Sequence, residues 1–329
     1  MFKKITAVFI CIWMSCIITN NSYAWWGSHT TTSINTNKAL GIDIGGTKIS
    51  YALINYNGEI CGNVTKISTP KTTQEIVSQL QNIIKDFDKE AEFVAIATAG
   101  AVNRKNTAII GTVGNLPDGY KDINFQSLSP NKRVFIENDA NAAAWAEYKI
   151  GASKECKNSI MLTLGTGVGA GIIIDGQMLK GKSGAAGEVH FPMSRHKERQ
   201  CTCGAWDCFE TYASGNGLRL TAVEIFNNKN ITTYDIIEKV KHNDKKAILA
   251  LETWQKDIAL GIIGLNNIFD ADCFVLSGSM EQFVDTNKVE EMVNADIIAT
   301  PTKVYHSKAG NHSGMIGAVL FGKEKLGKK

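Results

Sequence analysis

The sequence predicts an α/β protein built from two similar lobes that face each other across a cleft. In each half of the chain, an apolar strand leads through a glycine-rich turn into a second strand, and an Asx-Gly turn then leads into a third. The glycine-rich turns lie at residues 45–46 and 165–169, and the Asx-Gly turns lie at residues 57–58 and 175–176. A repeat of this length, combined with helical periodicity elsewhere, is typical of a duplicated α/β unit.

The first half contains two predicted helices among its strands. Thr72 and Glu75 have the spacing of a capping box, and apolar residues follow at helical spacing as far as residue 87. Asp139 begins a second predicted helix, which Gly151 ends. The strands predicted for this half are residues 39–44, 48–56, 59–67, 93–97 and 134–137.

The second half repeats the strand pattern and then becomes mostly helical. We expect a small lobe of residues 39–137 and 312–329, and a large lobe of residues 138–311 that carries a loop with three closely spaced cysteines. The elements predicted here are strands at 159–164, 171–174 and 177–179, a mostly helical stretch from 232 to 269, one short strand at 273–276 and a final helix at 314–325.

The amino terminus has the pattern of a secretory signal. Lys3 and Lys4 precede an apolar run at residues 5–18 that is too short for a comfortable transmembrane helix, and small residues stand at the cleavage positions before residue 25. The alternative is a wrongly assigned start, because initiation at Met14 would remove the signal. We therefore predict a leader at residues 1–24, followed by a polar linker at 25–38.

Composition and charge exclude several classes of protein. The 329 residues are 44% hydrophobic, 20% charged and 8% aromatic, which is ordinary globular usage and excludes a disordered, collagen-like or multi-span membrane protein. The net charge is +3, from 35 Lys and Arg against 32 Asp and Glu. A near-neutral chain lacks the basic surface that nucleic-acid binding requires, so we expect no nucleic-acid partner.

The two glycine-rich turns are candidate phosphate-binding loops. Glycine lets the backbone approach a ligand and direct its N–H groups at an anion, and Asp43 could hold a hydrated Mg²⁺ ion beside the first turn. Each turn alone could equally be a simple hairpin, but two such turns on two lobes suit a nucleotide bound across a cleft. The candidate nucleotide-binding residues are Gly45, Gly46, Thr47 and Lys48 in the first turn and Gly165, Thr166, Gly167 and Gly169 in the second.

Asp139 is the candidate general base. It lies where a predicted strand gives way to a helix, and strand ends are where sites form in open α/β sheets. Its carboxylate could accept a proton from a substrate hydroxyl, and Asn138 could hold a neighbouring hydroxyl. The alternative is that Asp139 is an ordinary helix N-cap. The candidate phosphate-binding loops on either side of it in the chain favour the catalytic interpretation.

Three closely spaced cysteines form a candidate zinc site. Three thiolates, from Cys201, Cys203 and Cys208, with one imidazole would make a closed tetrahedral zinc shell. His190 and His196 both precede the cysteines. The alternative is a set of reduced thiols, or a disulfide in an exported chain.

Two carboxylates, Glu188 and Glu210, flank these cysteines. Held beside a rigid metal loop, they could accept hydrogen bonds from the hydroxyls of a polyol. The alternative is that both are solvated loop charges.

Taken together, these motifs resemble those of the sugar-kinase branch of the repressor, open reading frame and kinase (ROK) family. The resemblance extends from about residue 40 to the end of the chain. The motifs that carry it are residues 43–48 (DIGGTK), 137–144 (ENDANAAA), 164–169 (LGTGVG), 184–188 (GAAGE), the cysteine cluster with Glu210, 213–215 (ASG) and 316–318 (IGA).

The resemblance implies an actin-like ATPase fold, a duplicated ribonuclease-H-like unit with a sugar in the cleft between its lobes. It implies ATP with Mg²⁺, transfer of the γ-phosphoryl group to a hexose hydroxyl, usually the 6-hydroxyl, and a homodimer. The roles it assigns are general base for Asp139, sugar contacts for Asn138, Asp139, Glu188, His190 and Glu210, the adenine site for Gly278, and Zn²⁺ ligands for His190, Cys201, Cys203 and Cys208.

Three positions depart from the family pattern. Residues 187–190 (GEVH) have one residue fewer between Glu and His than the usual Gly-Glu-x-Gly-His, so His196 is an alternative zinc ligand. Asp207 stands where a glycine usually precedes the last cysteine. Residues 277–279 (SGS) replace a Gly-Gly pair near the expected adenine site.

The function, the location and the sugar each have an alternative. ROK repressors carry a DNA-binding domain before the first glycine turn, whereas residues 1–38 here are leader and linker, so we expect no repressor. A catalytically inactive, exported sugar-binding protein of the same fold is the alternative to a kinase. ATP, Mg²⁺ and reduced thiols favour the cytoplasm, whereas the leader favours the periplasm. The motifs resemble those of glucokinases, N-acetylglucosamine kinases and N-acetylmannosamine kinases alike.

Overall fold

Two five-stranded sheets with the same topology form the framework of the protein. The computed structural model describes residues 37–111 and 115–328. The first sheet contains β1 (Lys38–Ile44), β2 (Lys48–Asn55), β3 (Thr65–Ser68), β4 (Val94–Thr98) and β5 (Val134–Asn138), in the order β3-β2-β1-β4-β5. The second contains β6 (Ser159–Leu164), β7 (Val168–Ile174), β8 (Gln177–Met178), β9 (Cys273–Ser277) and β10 (Lys303–His306), in the order β10-β9-β6-β7-β8.

Strand pairing is equivalent in the two sheets. In the first, β1, β2 and β3 pair antiparallel, and β4 and β5 continue the sheet in parallel from β1. In the second, β6, β7 and β8 pair antiparallel, and β9 and β10 continue in parallel from β6. The predicted duplication of an α/β unit is therefore confirmed.

The helices include each one that the sequence predicted in the first half. Thr72 accepts a hydrogen bond from the backbone N–H of Glu75, whose carboxylate accepts one from the backbone N–H of Thr72, so the predicted capping box is confirmed. Among the described residues, no helix is both long and apolar enough to span a membrane. The helices are α1 (Thr73–Asp86), α2 (Asp139–Ile150), α3 (Phe209–Ala213), α4 (Gly215–Phe226), α5 (Thr233–Lys241), α6 (Lys245–Phe269), α7 (Thr286–Asp296) and α8 (Ser313–Lys325).

Helix α2 lies between the two sheets. Its residue Trp145 packs edge-on against Phe321 of α8, with 5.9 Å between the ring centroids, in a cluster that includes residues of β1 and β4. Its residue Ala144 packs in a different cluster, with Met161 of β6 and Val275 of β9. Small side chains on α2 thus allow both sheets to approach the same helix.

Three strands differ from the prediction. The strand predicted at 171–174 begins at Val168, within the second glycine-rich turn. The strand predicted at 59–67 begins only at Thr65, and residue Ile60 contributes one isolated bridge to Ile54. The expectation of a single short strand after residue 232 is wrong, because β10 pairs with β9. The sequence of β10, Lys-Val-Tyr-His, buries only its valine, so this edge strand lacks the apolar pattern that identifies a strand.

A disulfide joins Cys156, in the segment after α2, to Cys273 of β9. Neither cysteine belongs to the cluster at 201–208, and no spacing pattern in the sequence predicts this bond. The two cysteines are 117 residues apart, so only the parallel pairing of β6 with β9 brings them together.

The predicted leader, residues 1–24, and residues 25–36 of the linker predicted at 25–38 lie outside the described residues. Lys38, the last residue of the predicted linker, instead begins β1. The division of the remaining chain into a small and a large lobe at residues 137 and 311 stays a prediction.

The contact between α2 and α8 leads to a prediction about stability. A Cβ atom at Gly317 of α8 would overlap the carbonyl oxygen of Ala142 in α2, so we expect Gly317→Ala to destabilise the fold by about 2–3 kcal/mol. The matched control is Gly264→Ala in α6, where a Cβ atom would meet nothing within 4 Å. We expect the control to stabilise the protein by about 0.5–1 kcal/mol through helix propensity. Urea unfolding midpoints measure both, and equal midpoints for the two variants would contradict the packing argument.

Candidate active site

A cavity of about 630 Å³ is lined by residues from both sheets and by the first residues of α2 and α8. Asp43 is the second-last residue of β1 on one side, and Gly278 follows β9 on the other. Ligand sites in α/β proteins form at such strand ends. The other lining residues are mostly small or hydroxyl-bearing, among them Thr163, Ser277, Ser279, Ser307 and Ser313. The cleft expected between two lobes is therefore present, and it brings the predicted residues Asp43, Asp139 and Gly278 together.

A second cavity, of about 60 Å³, shares Asp139 and Ala140 with the larger one. Asn138 and Glu188, both predicted sugar contacts, line this smaller cavity, and Gly169 of the second glycine-rich turn also borders it. Asp139 and Ala140 thus border both cavities at the start of α2.

The alternative interpretation of Asp139 as the N-cap of a helix is wrong. The N-cap of α2 is Asn138, whose side-chain oxygen accepts a hydrogen bond of 3.0 Å from the backbone N–H of Asn141. The Asn138 amide also donates to the carbonyl oxygen of Gly100 at 3.2 Å, so its side chain is engaged at both ends. Asp139 is the first residue of the helix and accepts a bond of 2.8 Å from the backbone N–H of Ala140.

The environment of Asp139 raises its pKa above the usual value. The side chain is accessible to solvent in the cleft, but the surrounding protein limits its hydration, and this is the main cause of the upward shift. The nearby charge of Glu188 adds to it, whereas the hydrogen bond from Ala140 opposes it. A carboxylate with a raised pKa holds a proton more readily, as general-base catalysis requires.

Asp43 is a second carboxylate of the larger cavity. Burial, followed by the charge of Asp139, raises its pKa to about 6, and Lys48 opposes the shift. Two carboxylates with unfavourable hydration and mutual repulsion are a suitable environment for a hard cation such as Mg²⁺, which binds through oxygen ligands and water.

The first glycine-rich turn is a tight connection between β1 and β2. The backbone N–H of Gly45 donates to the carbonyl oxygen of Lys48 at 3.0 Å. A Cβ atom at Gly46 would lie 2.5 Å from the carbonyl oxygen of Asn115, so this position requires glycine because another segment approaches it. Gly46, Thr47 and Lys48 are exposed. The turn therefore begins two residues after Asp43, and its outer residues are accessible to a ligand.

The second glycine-rich turn is in contact with Glu210 of α3. The backbone N–H of Gly165 donates to the carbonyl oxygen of Gly167 at 3.0 Å, and the Glu210 carboxylate accepts a bond of 3.1 Å from the backbone N–H of Val168. A Cβ atom at Gly167 would overlap that carboxylate. Glu210 therefore lies against the turn, whereas Glu188 lines the smaller cavity.

Glu137, the residue before Asn138, forms a buried ion pair that the sequence analysis missed. Its carboxylate, 1% exposed, accepts bonds from Lys180 Nζ at 2.6 Å and from Asn106 Nδ2 at 2.7 Å. It also accepts from the Asn141 side chain at 3.3 Å and from the backbone N–H of Asn138 at 2.9 Å. Segments distant in the chain thus hold the junction between β5 and α2. Lys180 and Asn106 are isolated in loops, so no spacing pattern could have identified them.

Glu147, near the other end of α2, is a second carboxylate with a structural role. It is completely buried and accepts hydrogen bonds from the backbone N–H groups of Ala152 at 2.7 Å, Lys308 at 2.9 Å and Ala309 at 2.7 Å. Residues 308–309 lead directly into Gly310, which lines the larger cavity. Glu147 therefore positions one wall of the cleft.

The three clustered cysteines meet one histidine in space. The ligand atoms of His190, Cys201, Cys203 and Cys208 all lie within 4.8 Å of one another. The Cys203 and Cys208 sulfurs are 3.6 Å apart, close to the edge of about 3.8 Å for a zinc tetrahedron with bonds of about 2.3 Å. A hydrogen bond from the backbone N–H of Ala205 lowers the pKa of Cys203 to about 7, which favours its thiolate form. The donor set and its dimensions fit Zn²⁺.

His190, rather than His196, lies with the thiols. Its Nδ1 is 3.6 Å from the Cys201 sulfur, whereas His196 is exposed and lies outside the group. Its Nε2 lies 4.0 Å from the carboxylate of Glu188, which lines the smaller cavity. The shortened spacing between Glu188 and His190 therefore still lets one histidine face both the thiols and the cavity.

The raised pKa of Asp43 predicts how stability depends on pH in the absence of metal ions. Its folded-state pKa of about 6 exceeds the ordinary aspartate value of 3.8, so the folded protein binds this proton more tightly than the unfolded chain. Binding of this proton therefore stabilises the fold at pH values below the pKa of Asp43 in the unfolded chain. The stabilisation is lost as the pH rises through about 6, the pKa in the folded protein. As the pH rises from 3.8 to about 6, we expect the free energy of unfolding of Asp43→Asn to increase relative to that of the natural protein. Urea unfolding at several pH values measures this difference. A difference that does not change with pH would contradict the assignment.

Comparison with known proteins supports one family assignment. The family model described as ROK family matches residues 39–325. A glucokinase of Streptomyces coelicolor is 30% identical over 311 residues, covering 87% of this chain and 97% of the relative. An N-acetylmannosamine kinase of Escherichia coli is 30% identical over 294 residues, covering 87% and 98%.

Solved structures show the same architecture. A ROK family glucokinase from Streptomyces griseus, in complex with glucose and AMPPNP, has a TM-score of 0.70 at 27% identity and covers 86% of this chain and 98% of its own. A ROK hexokinase from Thermus thermophilus has a TM-score of 0.74 at 24% identity, covering 88% and 99%. The duplicated sheets are therefore the predicted actin-like ATPase fold, and the chain belongs to the ROK family.

Proposed function

We propose that the protein is a sugar kinase that transfers the γ-phosphoryl group of ATP to the 6-hydroxyl of a hexose or N-acetylhexosamine. The observation that carries this proposal is the position of Asp139, which borders both the larger and the smaller cavity. A phosphoryl donor on one side and a sugar hydroxyl on the other would meet at its carboxylate. The names of the relatives, glucokinase and N-acetylmannosamine kinase, support the same substrate class.

In this mechanism Asp139 orients the sugar hydroxyl and accepts its proton as the oxygen attacks the γ-phosphorus and the bond to the ADP oxygen breaks. Asp43 would hold hydrated Mg²⁺, which neutralises the charge of the transferred group. The phosphates would lie against the two glycine-rich turns, at Gly45–Lys48 and Gly165–Gly169, and the adenine near Gly278. These roles require positioning and electrostatic stabilisation, which supply most of the catalysis in phosphoryl transfer.

The proposed sugar contacts are Asn138, Glu188, His190 and Glu210, together with Asp139. The smaller cavity, of about 60 Å³, is smaller than a hexose, so a sugar bound there would extend beyond it or require the surrounding residues to move. A panel of glucose, fructose, mannose, N-acetylglucosamine and N-acetylmannosamine with ATP identifies the substrate. Sugar binding without turnover across the panel would instead favour the inactive binding protein.

The role of Asp139 is tested by Asp139→Asn, which keeps the size of the side chain and removes its basicity. We expect kcat to fall by roughly a hundredfold or more, while sugar affinity changes by only a few-fold. Steady-state kinetics and equilibrium sugar binding measure the two effects. Asp175→Asn, at an exposed turn, is the matched control. A near-normal kcat for Asp139→Asn would remove the general-base role.

We also propose that one Zn²⁺ ion is bound by His190, Cys201, Cys203 and Cys208. Four protein ligands leave no open coordination position, so the ion stabilises structure and takes no part in the chemical step. It would hold the segment that ends in Glu210, beside the second glycine-rich turn.

The zinc ligands are tested by comparing two histidine variants. We expect His190→Ala to lower the zinc content of purified protein severalfold, because a fourth ligand is lost. His196→Ala is the matched control and should keep one zinc per chain, since its side chain lies outside the thiol group. Elemental analysis measures the zinc content of both variants. Loss of zinc in His196→Ala but not in His190→Ala would make His196 the ligand.

We propose that the protein is a homodimer. Ile268 and Ile298 are 73% and 92% exposed, and the backbone N–H of Ile298 donates to the side chain of Asn267, so the two isoleucines share one surface. Burying such side chains against a second copy would be favourable. Light scattering at micromolar concentration tests this, and a monomeric mass would contradict it.

We propose that active enzyme works in the cytoplasm, from a start near Met14 or later, because ATP and reduced thiols are available there. The disulfide between Cys156 and Cys273 is a contrary observation, since such bonds persist mainly in oxidising compartments. Cell fractionation with amino-terminal sequencing of the native protein tests both the location and the first residue. A periplasmic chain that begins at Trp25 would contradict the cytoplasmic proposal.

A further inference from the structure

Asp207 is completely buried within the cysteine loop, which we define as residues 193–208. Its carboxylate accepts hydrogen bonds from three consecutive backbone N–H groups, those of Lys197 at 2.7 Å, Glu198 at 3.0 Å and Arg199 at 2.8 Å. It accepts a fourth from the hydroxyl of Tyr212 in α3 at 3.1 Å. A buried carboxylate is tolerated only when donors surround it, and these four charge-assisted bonds meet that condition.

The backbone of Asp207 closes the same loop. Its N–H donates to the carbonyl oxygen of Arg199, and its own carbonyl oxygen accepts from the N–H of Met193, both at 2.7 Å. Its φ is 55°, in the left-handed region where glycine is the usual residue and aspartate is better tolerated than most others. None of these bonds uses a thiol or an imidazole.

Arg199 attaches the loop to the helices behind it. Its guanidinium donates to the carbonyl oxygen of Thr211 at 3.0 Å, to the hydroxyl of Thr221 at 3.1 Å and to the carboxylate of Glu224 at 3.0 Å. It also lies 4.4 Å from the ring centroid of Tyr212. Arg199 is 8% exposed, so these contacts are largely shielded from water.

We propose that Asp207 is a positioning residue that holds the cysteine loop, and through it Glu210, in place even when no metal ion is bound. The loop has two independent sets of contacts, the metal ligands and the hydrogen bonds of Asp207. Glu210 follows in α3, which begins at Phe209 directly after the loop, so the contacts that fix the loop also fix this carboxylate. The functional consequence for sugar binding rests on the proposed role of Glu210.

The structural test is hydrogen–deuterium exchange of the cysteine loop, with zinc and after its removal by a chelator. In the natural protein we expect the amides of Lys197, Glu198 and Arg199 to stay protected without the metal. In Asp207→Gly, which fits the same φ but lacks the carboxylate, we expect their exchange to rise at least about tenfold on metal removal and little before it.

Two further variants complete the structural test. Asp207→Asn keeps one acceptor oxygen, so protection should survive at Glu198 and Arg199 and be lost at Lys197. This variant also keeps the proposal testable if Asp207→Gly does not fold. Asp175→Gly is the matched control, because Asp175 also has a positive φ, of 50°, and lies in the hairpin turn after β7. We expect it to leave exchange in the cysteine loop unchanged.

The kinetic test separates positioning from general destabilisation. In metal-free Asp207→Gly we expect the KM for the sugar to rise about tenfold, whereas in zinc-bound Asp207→Gly and in the metal-free natural protein it should change little. Two results would overturn the proposal: the metal-free natural protein exchanging as fast as metal-free Asp207→Gly, or Asp207→Gly keeping full protection without metal. Failure of the kinase proposal would appear differently, as absence of turnover in the natural protein, and would leave the exchange experiment valid.

Discussion

Close packing of one alanine-rich helix between two sheets is the constraint on which the site depends. Helix α2 presents Ala142 to Gly317 of α8 and Ala144 to Gly171 of β7, and a methyl group on either glycine would overlap atoms of α2. Because neither side has room to shift, the amino-terminal end of α2 is fixed relative to both sheets. That end carries Asp139, so contacts remote from the cavities decide where its carboxylate lies.

Three buried carboxylates also fix segments of the chain around the site. Glu137 fixes the junction of β5 with α2, Glu147 holds the segment that leads into one wall of the larger cavity, and Asp207 closes the cysteine loop. The bonds to Glu137 and Glu147 come partly from segments distant in the chain, and those to Asp207 come from its own loop and from Tyr212. These bonds compensate for the loss of water around each charge. Asp43 and Asp139 differ, because their pKa values are raised and their carboxylates face the cavity. The protein thus separates carboxylates that support structure from those available for a ligand.

Much of the fold could be predicted because its elements are local. The capping box at Thr72, the glycine-rich turn after Asp43 and the apolar strand β6 depend on neighbours in the sequence, and the structure has them where the pattern indicates. Strand β10 was missed because its stability comes from pairing with β9, while most of its side chains remain exposed. The sequence left two interpretations of Asp139 open, general base or helix N-cap, since Asn138 and Asp139 are both good capping residues and only backbone geometry shows that Asn138 is the N-cap.

The sequence alone determined the duplicated α/β architecture, the family and the residue types of the candidate site, because periodicity, turns and short motifs depend on residues that are close together in the chain. Tertiary structure alone decided that Asp139 borders two cavities and that His190 rather than His196 joins the thiols. It also decided that Lys180 neutralises Glu137. These contacts join segments that are far apart in the chain. They are determined by the packing of the sheets around α2, which a local sequence pattern does not predict.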